Sequence, residues 1–175
     1  MTHMSVSPLA TGAQLTNALH TLGVKFIIGG NYTEETLHKH PPRLIAALAG
    51  SKEARLRLAL IPLFLEHPEF AAYVRPVAAN LNASTRLTLQ CYYCAAVWLQ
   101  QEYQARLESI LGSKPSLPDH FSRELGLQQT LNDPEPNLQM LAERHQVLSG
   151  EKVNWLGTYR HAAQVWLKGL ENRNA

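Results

Sequence analysis

The chain has 175 residues, of which 45% are hydrophobic and only 17% are charged, and its formal net charge is +2. This length suits one domain with a sizeable core, and the hydrophobic content excludes an intrinsically disordered chain. The near-neutral balance excludes the polycationic surface that a phosphate backbone attracts, so nucleic-acid binding is not expected. We expect a single helical domain over residues 1–175, with residues 1–12 as a flexible N-terminal arm.

The first fifty residues predict helices and the one segment with strand character. Apolar side chains recur at helical spacing over residues 13–22, and Gly23 is a typical C-terminal stop. Residues 24–28, VKFII, are β-branched and aromatic and precede two glycines, which predicts at most one short strand. Helices are predicted over residues 33–40 and 41–50, the second with prolines in its first turn.

The middle of the chain predicts its longest helix. A helix over residues 51–67 should kink or break at Pro62, and another helix is predicted from residue 68 to about residue 80. Ser84 is the expected cap of a helix over residues 84–111. Apolar residues cover much of the circumference of that helix, so we expect it to be central.

The C-terminal part predicts three helices joined by proline-rich loops. A short helix, DHFSRELGL, lies between loops over residues 113–119 and 128–136, and helices follow over 137–148 and 154–170. The whole pattern predicts a mainly all-α, single-domain bundle of six to eight helices, with at most one short strand near residues 24–28.

Cys91 and Cys94 form the chain's single C-x-x-C motif. A redox motif needs its first thiolate at a helix N-terminus, and Cys91 falls well inside the predicted helix. A structural zinc site needs four ligands, and no second pair accompanies this one. We therefore interpret both cysteines as buried core residues, and no metal or cofactor is expected.

The last helix carries one apolar stripe that includes Trp155, Tyr159 and Trp166. These residue types anchor many protein interfaces, although core packing also explains them and is the commoner case. The favoured function is a non-enzymatic helical protein that binds a protein partner or forms a homodimer. Trp155, Tyr159 and Trp166 are its expected partner-binding residues.

Two alternative functions rest on polar clusters. A small helical hydrolase or nuclease could use Asp119, His120, Glu124 and His145 as catalytic residues, although Asp119 also suits a helix cap. A nucleic-acid-binding regulator could use the chain's one basic cluster, which a solvated helix face also explains. That cluster consists of Arg43, Lys52, Arg55 and Arg57.

Membrane insertion and secretion are not expected. The first residues lack the cationic start and apolar run of a signal peptide. The longest apolar run, residues 58–65, is far shorter than a membrane span. We therefore expect a cytoplasmic protein of bacterial type.

Residues 15–30, LTNALHTLGVKFIIGG, resemble the opening helix and strand of bacterial minimal nucleotidyltransferases found in toxin–antitoxin pairs. That family continues to a D-x-D carboxylate pair that holds the metal ions for phosphoryl transfer. Here the first aspartate is Asp119 and the only other is Asp133, so no catalytic residue carries over. The resemblance implies a degenerate or companion protein of a toxin–antitoxin or defence operon.

Overall fold

The computed structural model describes residues 10–24, 37–127 and 132–173, and within these ranges it contains helices, turns and loops but no strand. The expected all-α class is therefore confirmed. None of the described helices combines the length and the apolarity that crossing a membrane requires. The α-helices are α1 (Gly12–Thr21), α2 (Pro41–Ala49), α3 (Ala54–Leu58), α4 (Leu60–Glu66), α5 (Ala71–Ala79), α6 (Ala83–Glu102), α7 (Gln104–Leu111), α8 (Pro134–Ser149) and α9 (Trp155–Arg173).

Helix α6 is the centre of the bundle, as its all-round apolar pattern predicts. Every residue from Leu89 to Leu99 is buried, and α6 packs against α2, α4, α5, α7, α8 and α9. Its N-terminal cap is Asn82, whose side chain accepts a hydrogen bond from Thr85 N at 2.9 Å. The expected cap at Ser84 is wrong, because Ser84 already lies in the first turn of the helix.

Helix α9 closes the core over α4. The indole Nε1 of Trp166 donates to Glu66 Oε2 at 3.0 Å, which joins residues 100 positions apart in the chain. Burial raises the pKa of the Glu66 carboxyl above its ordinary value. Because little water surrounds this carboxylate, the indole N–H is an important hydrogen-bond donor to it. The bond therefore helps to fix the position of α9 relative to α4.

Several expectations concern the first forty residues. Of the predicted strand over residues 24–28, only Val24 is described, as a buried residue outside any strand; the other four lie outside the described residues. Residues 1–9 of the expected N-terminal arm also lie outside them, whereas Thr11 caps α1 in a capping box with Gln14. Of the predicted helix over residues 33–40, the described part is one 3₁₀ turn, Leu37–Lys39.

Prolines explain one expected break and one correction. The break expected near Pro62 lies between α3 and α4 at Ala59. Proline has no N–H to donate to the carbonyl four residues earlier, so the Leu58 carbonyl loses its helical partner and α3 ends there. The predicted loop over residues 128–136 ends early, because α8 begins at Pro134 with Asp133 as its cap. Proline is well suited to a first helical turn, where its missing N–H costs nothing.

Two further corrections concern segments that contain no proline. The predicted helix over residues 84–111 is interrupted at Tyr103, which separates α6 from α7. Residues 121–126 of the predicted short helix DHFSRELGL form a turn instead. Asp119 Oδ1 does accept from Ser122 N at 3.1 Å, as expected of a cap. Gly126 then adopts a positive φ of 75°, and this left-handed conformation stops the turn from continuing as a helix.

Candidate functional site

A cavity of about 430 Å³ lies where the ends of several helices meet. Its size falls within the range typical of small-molecule sites. Its wall is formed by parts of five helices: the C-terminus of α2, the segment leading into α3, the first three turns of α6, the C-terminus of α8 and the start of α9. We call it the α6–α8 cavity, and its lining residues are Ala49, Gly50, Ser51, Arg57, Ala83, Ser84, Thr85, Leu87, Thr88, Tyr92, His145, Leu148, Ser149, Glu151 and Trp155.

An aromatic cluster forms the inner wall of this cavity. The imidazole of His145 stacks on the indole of Trp155 with ring centroids 3.6 Å apart. Tyr92 meets the His145 ring edge-on at 6.0 Å, and the Tyr159 ring lies nearly parallel to those of His145 and Trp155, at 5.9 and 6.3 Å between centroids. All four side chains are buried, so packing holds their polar atoms in fixed positions.

Hydrogen-bond accounting assigns the tautomer of His145. The buried Tyr159 hydroxyl is hydrogen-bonded to His145 Nδ1, its one partner within the described residues. A buried O–H needs an acceptor, so Tyr159 donates to Nδ1. A neutral imidazole that accepts at Nδ1 carries its proton on Nε2. Burial lowers the pKa of His145 to about 4, so the ring is neutral at pH 7 and offers an Nε2–H donor.

Two more donors of the aromatic cluster have no acceptor among the described residues. The indole Nε1–H of Trp155 is buried without a hydrogen-bond partner. The Tyr92 hydroxyl is subject to desolvation and nearby charges but to no hydrogen bond, and its pKa is raised to about 12. It therefore keeps its proton at neutral pH. An unpaired buried donor costs about 1–3 kcal/mol, so a group that accepts from the Trp155 indole would be stabilising.

Arg57 brings a positive charge to the same cavity. Its half-buried side chain donates from Nη1 to the Ser51 carbonyl at 2.7 Å. Within the described part of the chain, no carboxylate lies within 4.0 Å of this guanidinium, whereas Arg55, Arg75, Arg106 and Arg160 each pair with a glutamate. The remaining N–H groups of Arg57 are free to bind an acceptor.

The other charges around the cavity nearly cancel. The cavity is bordered by the N-termini of α6 and α9 and by the C-termini of α2 and α8. The partial positive charges of the first two helix ends therefore offset the partial negative charges of the other two. Glu151, on the loop after α8, is the acidic residue of the lining, and its side chain is exposed to water. Water screens an exposed carboxylate more than a half-buried guanidinium, so the part of the cavity beside Arg57 is positive.

A second cavity of about 440 Å³ shows the opposite pattern. There, Glu124 accepts from Arg75 Nη2 at 3.2 Å and from Gln90 Nε2 at 3.1 Å. Arg86, on the same wall, donates to the carbonyls of Ala78 and Leu81. The charged groups of this second cavity already have hydrogen-bond partners within the protein. They stabilise the fold and leave few groups to bind a ligand.

The structure does not bring the four proposed catalytic residues together. His120 stacks on Tyr93, whereas His145 contacts Tyr92, the preceding residue of α6. Successive residues of a helix point about 100° apart, so the two histidines lie on different sides of α6. Asp119 caps its own turn, and Glu124 is paired in the second cavity. The structure therefore does not bring Asp119, His120, Glu124 and His145 together into a single constellation.

The proposed basic surface is also divided. Arg55 pairs with Glu53 at 2.7 Å, and Arg57 belongs to the lining of the α6–α8 cavity. Arg43 and Lys52 are exposed on α2 and on the segment before α3. Four cations were expected on one face, but one is neutralised by its neighbour and another lies in a cavity.

The three proposed partner-binding aromatics are core residues in the folded chain. Trp155, Tyr159 and Trp166 are 9%, 0% and 1% exposed, so they form no exposed aromatic rim. Large apolar side chains that do reach the surface include Val147 and Val153, on either side of the turn between α8 and α9. The expected protein partner stays a prediction, and these three aromatics are not the surface it would contact.

Both cysteines are free and buried within α6, as expected. Burial raises the pKa of Cys91 to about 12 and that of Cys94 well above its ordinary value, so both remain thiols. Within the described ranges, no group of three or more histidine, cysteine, aspartate or glutamate side chains is arranged to hold a metal ion.

Comparisons of this chain with protein-family models, with curated proteins and with solved structures find no match. The assignment of the α6–α8 cavity as a candidate site therefore depends on its lining residues. Sequence reasoning named Arg57, His145 and Trp155 for three separate functions, and it did not name Tyr92 as a functional residue. These four come together through the packing of α3, α6, α8 and α9, and no short spacing in the sequence signals that arrangement.

Proposed function

We propose that this chain is a non-enzymatic binding protein that holds a small polar ligand in the α6–α8 cavity. The observation that carries the proposal is the set of donors that line this cavity, from Arg57, Tyr92 and His145, together with the buried indole N–H of Trp155, which has no partner among the described residues. Native proteins pair nearly all their buried polar groups, so the unpaired indole N–H of Trp155, beside a cavity that three further donors line, favours an occupant that supplies acceptors.

The state of His145 favours binding over catalysis. A general base needs a lone pair that faces the substrate. His145 accepts from Tyr159 at Nδ1 and carries its proton on Nε2, so it presents a donor to the cavity. Tyr92 likewise keeps its proton at neutral pH, because burial raises its pKa. These side chains can orient a ligand without abstracting a proton from it.

Ligand binding in this cavity is compatible with the sequence-based prediction of a bacterial operon component, including one of a toxin–antitoxin or defence system. A small-molecule ligand and a protein partner would use different parts of the surface. The ligand site is a recess between helix ends, whereas a partner needs a broad exposed area.

A thermal-shift screen against a variant with a filled cavity tests this function. The compounds are small carboxylates, phosphates, amines and neutral amides, each measured with the wild type and with Thr88→Phe, which places a ring in the cavity. A ligand at 100 times its Kd stabilises the folded state by about 2.7 kcal/mol, which raises the Tm by about 5–10 °C for this size of chain.

We expect at least one class of compound to raise the Tm of the wild type and to leave that of Thr88→Phe unchanged. Gln139→Phe is the matched control, because Gln139 is exposed on α8 and does not line the cavity. Ser149→Phe, which fills the cavity from α8, serves if Thr88→Phe does not fold. Equal shifts in the wild type and the filled variants, or no shift in any class, would contradict the proposed function.

A further inference from the structure

The charges and donors of the α6–α8 cavity define the ligand more closely. Resting on the proposed function, we infer that the ligand is a small organic anion whose carboxylate or phosphate group binds Arg57 and the neighbouring donors Tyr92, His145 and Trp155. The two anionic groups share the chemistry that matters here, because both present several acceptor oxygens and a negative charge.

The negative charge of the proposed ligand follows from the hydrogen-bond donors that the cavity offers. Arg57 has donors left over and no carboxylate within ion-pair distance in the described residues. An indole N–H can only donate, and an imidazole that accepts from Tyr159 at Nδ1 donates at Nε2. An ammonium group would add further donors to this wall and would meet the guanidinium as a like charge, so a cationic headgroup is unfavourable there.

The acidic residue of the lining provides a check on this inference. Glu151 is exposed and lies near enough to the Tyr92 hydroxyl to affect its charge state, as Arg57 does with the opposite sign. If an anion binds beside Tyr92, Glu151 repels it while Arg57 attracts it. Neutralising the two residues separately should therefore change the affinity in opposite directions.

Four compounds of similar shape separate the ligand classes in isothermal titration calorimetry. Benzoate and phenyl phosphate carry the two anionic groups, benzamide is the neutral counterpart of benzoate, and benzylamine carries a positive charge. We expect one or both anions to bind the wild type at least tenfold more tightly than benzamide, with no measurable binding of benzylamine. The stronger of benzoate and phenyl phosphate identifies which anionic group the site prefers.

Matched variants then assign the binding to this cavity. Arg57→Gln should weaken the anion by about tenfold to a hundredfold, which is typical of losing a hydrogen bond to a charged group. Arg55→Gln is the control, because Arg55 lies on the same helix but pairs with Glu53 outside the cavity. Trp155→Phe keeps an aromatic ring beside His145 but removes the indole N–H and should weaken the anion, and Glu151→Gln should increase its affinity.

The outcomes distinguish the two proposals. Binding of benzamide or benzylamine as tight as that of both anions, when Thr88→Phe abolishes it, would overturn the anionic ligand but keep the cavity as a binding site. Anion binding that Arg55→Gln weakens as much as Arg57→Gln does would also overturn the inference. Failure of all four compounds to bind the wild type would count against the inference, and the broader screen described above would then decide the proposed function.

Discussion

The imidazole of His145 lies almost parallel to the indole of Trp155, with an angle of 17° between the rings and 3.6 Å between their centroids. Stacking at this distance leaves no room for water between the two faces. The same histidine accepts from Tyr159 at Nδ1, so one face and one ring nitrogen are both occupied by the protein. A protonated imidazole would lose the hydrogen bond from Tyr159 and would be poorly solvated.

We expect His145 to make the folded state less stable in acid. Burial lowers its folded pKa from 6.5 to about 4, so the unfolded chain takes up a proton between these pH values and the folded chain does not. The free energy of unfolding should therefore fall as the pH drops from about 6.5 to about 4, by about 3 kcal/mol in total from this residue. Urea unfolding at several pH values measures it.

The variant His145→Phe keeps an aromatic ring beside Trp155 but cannot titrate. Its free energy of unfolding should be lower at pH 7, because the Tyr159 hydroxyl loses its acceptor, and it should depend less on pH below 6.5. His161→Gln, a substitution at an exposed histidine of α9, is the control. A pH dependence as steep in His145→Phe as in the wild type would rule out this assignment.

Trp166→Ala should destabilise the chain strongly without changing its oligomeric state. Trp166 is 1% exposed and donates to Glu66, so removing the ring leaves both a cavity and a poorly solvated carboxylate. A loss of about 3–5 kcal/mol is typical of truncating a buried tryptophan. Val165→Ala, at a neighbouring position that is 42% exposed, should change stability by less than about 0.5 kcal/mol. A folded Trp166→Ala variant of unchanged stability would show that this tryptophan is not core.

The two cysteines should not react with a thiol reagent such as DTNB until the chain unfolds. Cys91 and Cys94 are 1% and 0% exposed, and burial raises the pKa of both thiols, so neither is accessible as a thiolate. The rate of labelling should increase sharply through the urea transition and should follow the circular dichroism signal. Rapid labelling of the folded chain would contradict the buried position of this motif.

The cap of α6 offers a matched pair of substitutions. Asn82→Ala removes the acceptor for Thr85 N and should cost about 1 kcal/mol of stability, as is typical of losing a helix cap. Ser84→Ala, two residues further on, leaves that hydrogen bond in place and should cost much less. Urea unfolding of the two variants measures the difference in stability. An equal loss of stability in both variants would contradict the assignment of Asn82 as the cap.

Tight DNA binding is not expected at physiological salt. The net charge is +2, and the basic cluster is divided between a surface ion pair and the α6–α8 cavity. A gel-shift titration with duplex DNA should give no complex below micromolar protein concentration. A sub-micromolar complex that the double substitution Arg55→Ala and Arg57→Ala abolishes would show that the regulator interpretation is correct.

Periodicity within the chain predicted the large features of the fold, because helical burial repeats every three to four residues. The apolar stripe of α9 and the all-round apolar pattern of α6 both indicated helices that pack into the core. The start of α8 was missed because Pro134 and Pro136 are as common in loops as in first helical turns. The break at Tyr103 has neither a glycine nor a proline to signal it.

The candidate site was beyond sequence reasoning, because its members are far apart in the chain. The hydrogen bond between His145 and Tyr159 crosses from α8 to α9, and Arg57 arrives from α3. Proximity in the sequence suggested grouping Asp119 with His120, yet tertiary packing gives these two residues separate structural roles. Arg57 and Arg55 are two residues apart on one helix, but only Arg57 reaches the cavity.

The hydrogen bond between Glu66 and Trp166 has a consequence for synthesis of the protein. The two residues are 100 positions apart, and ribosomes add about 5–20 residues per second, so Glu66 waits about 5–20 s for its partner. During that interval the faces of α4 and α6 that α9 covers are open to water. The nascent chain is then most exposed to aggregation, and binding of a chaperone at this stage would shield the surface that α9 later occupies.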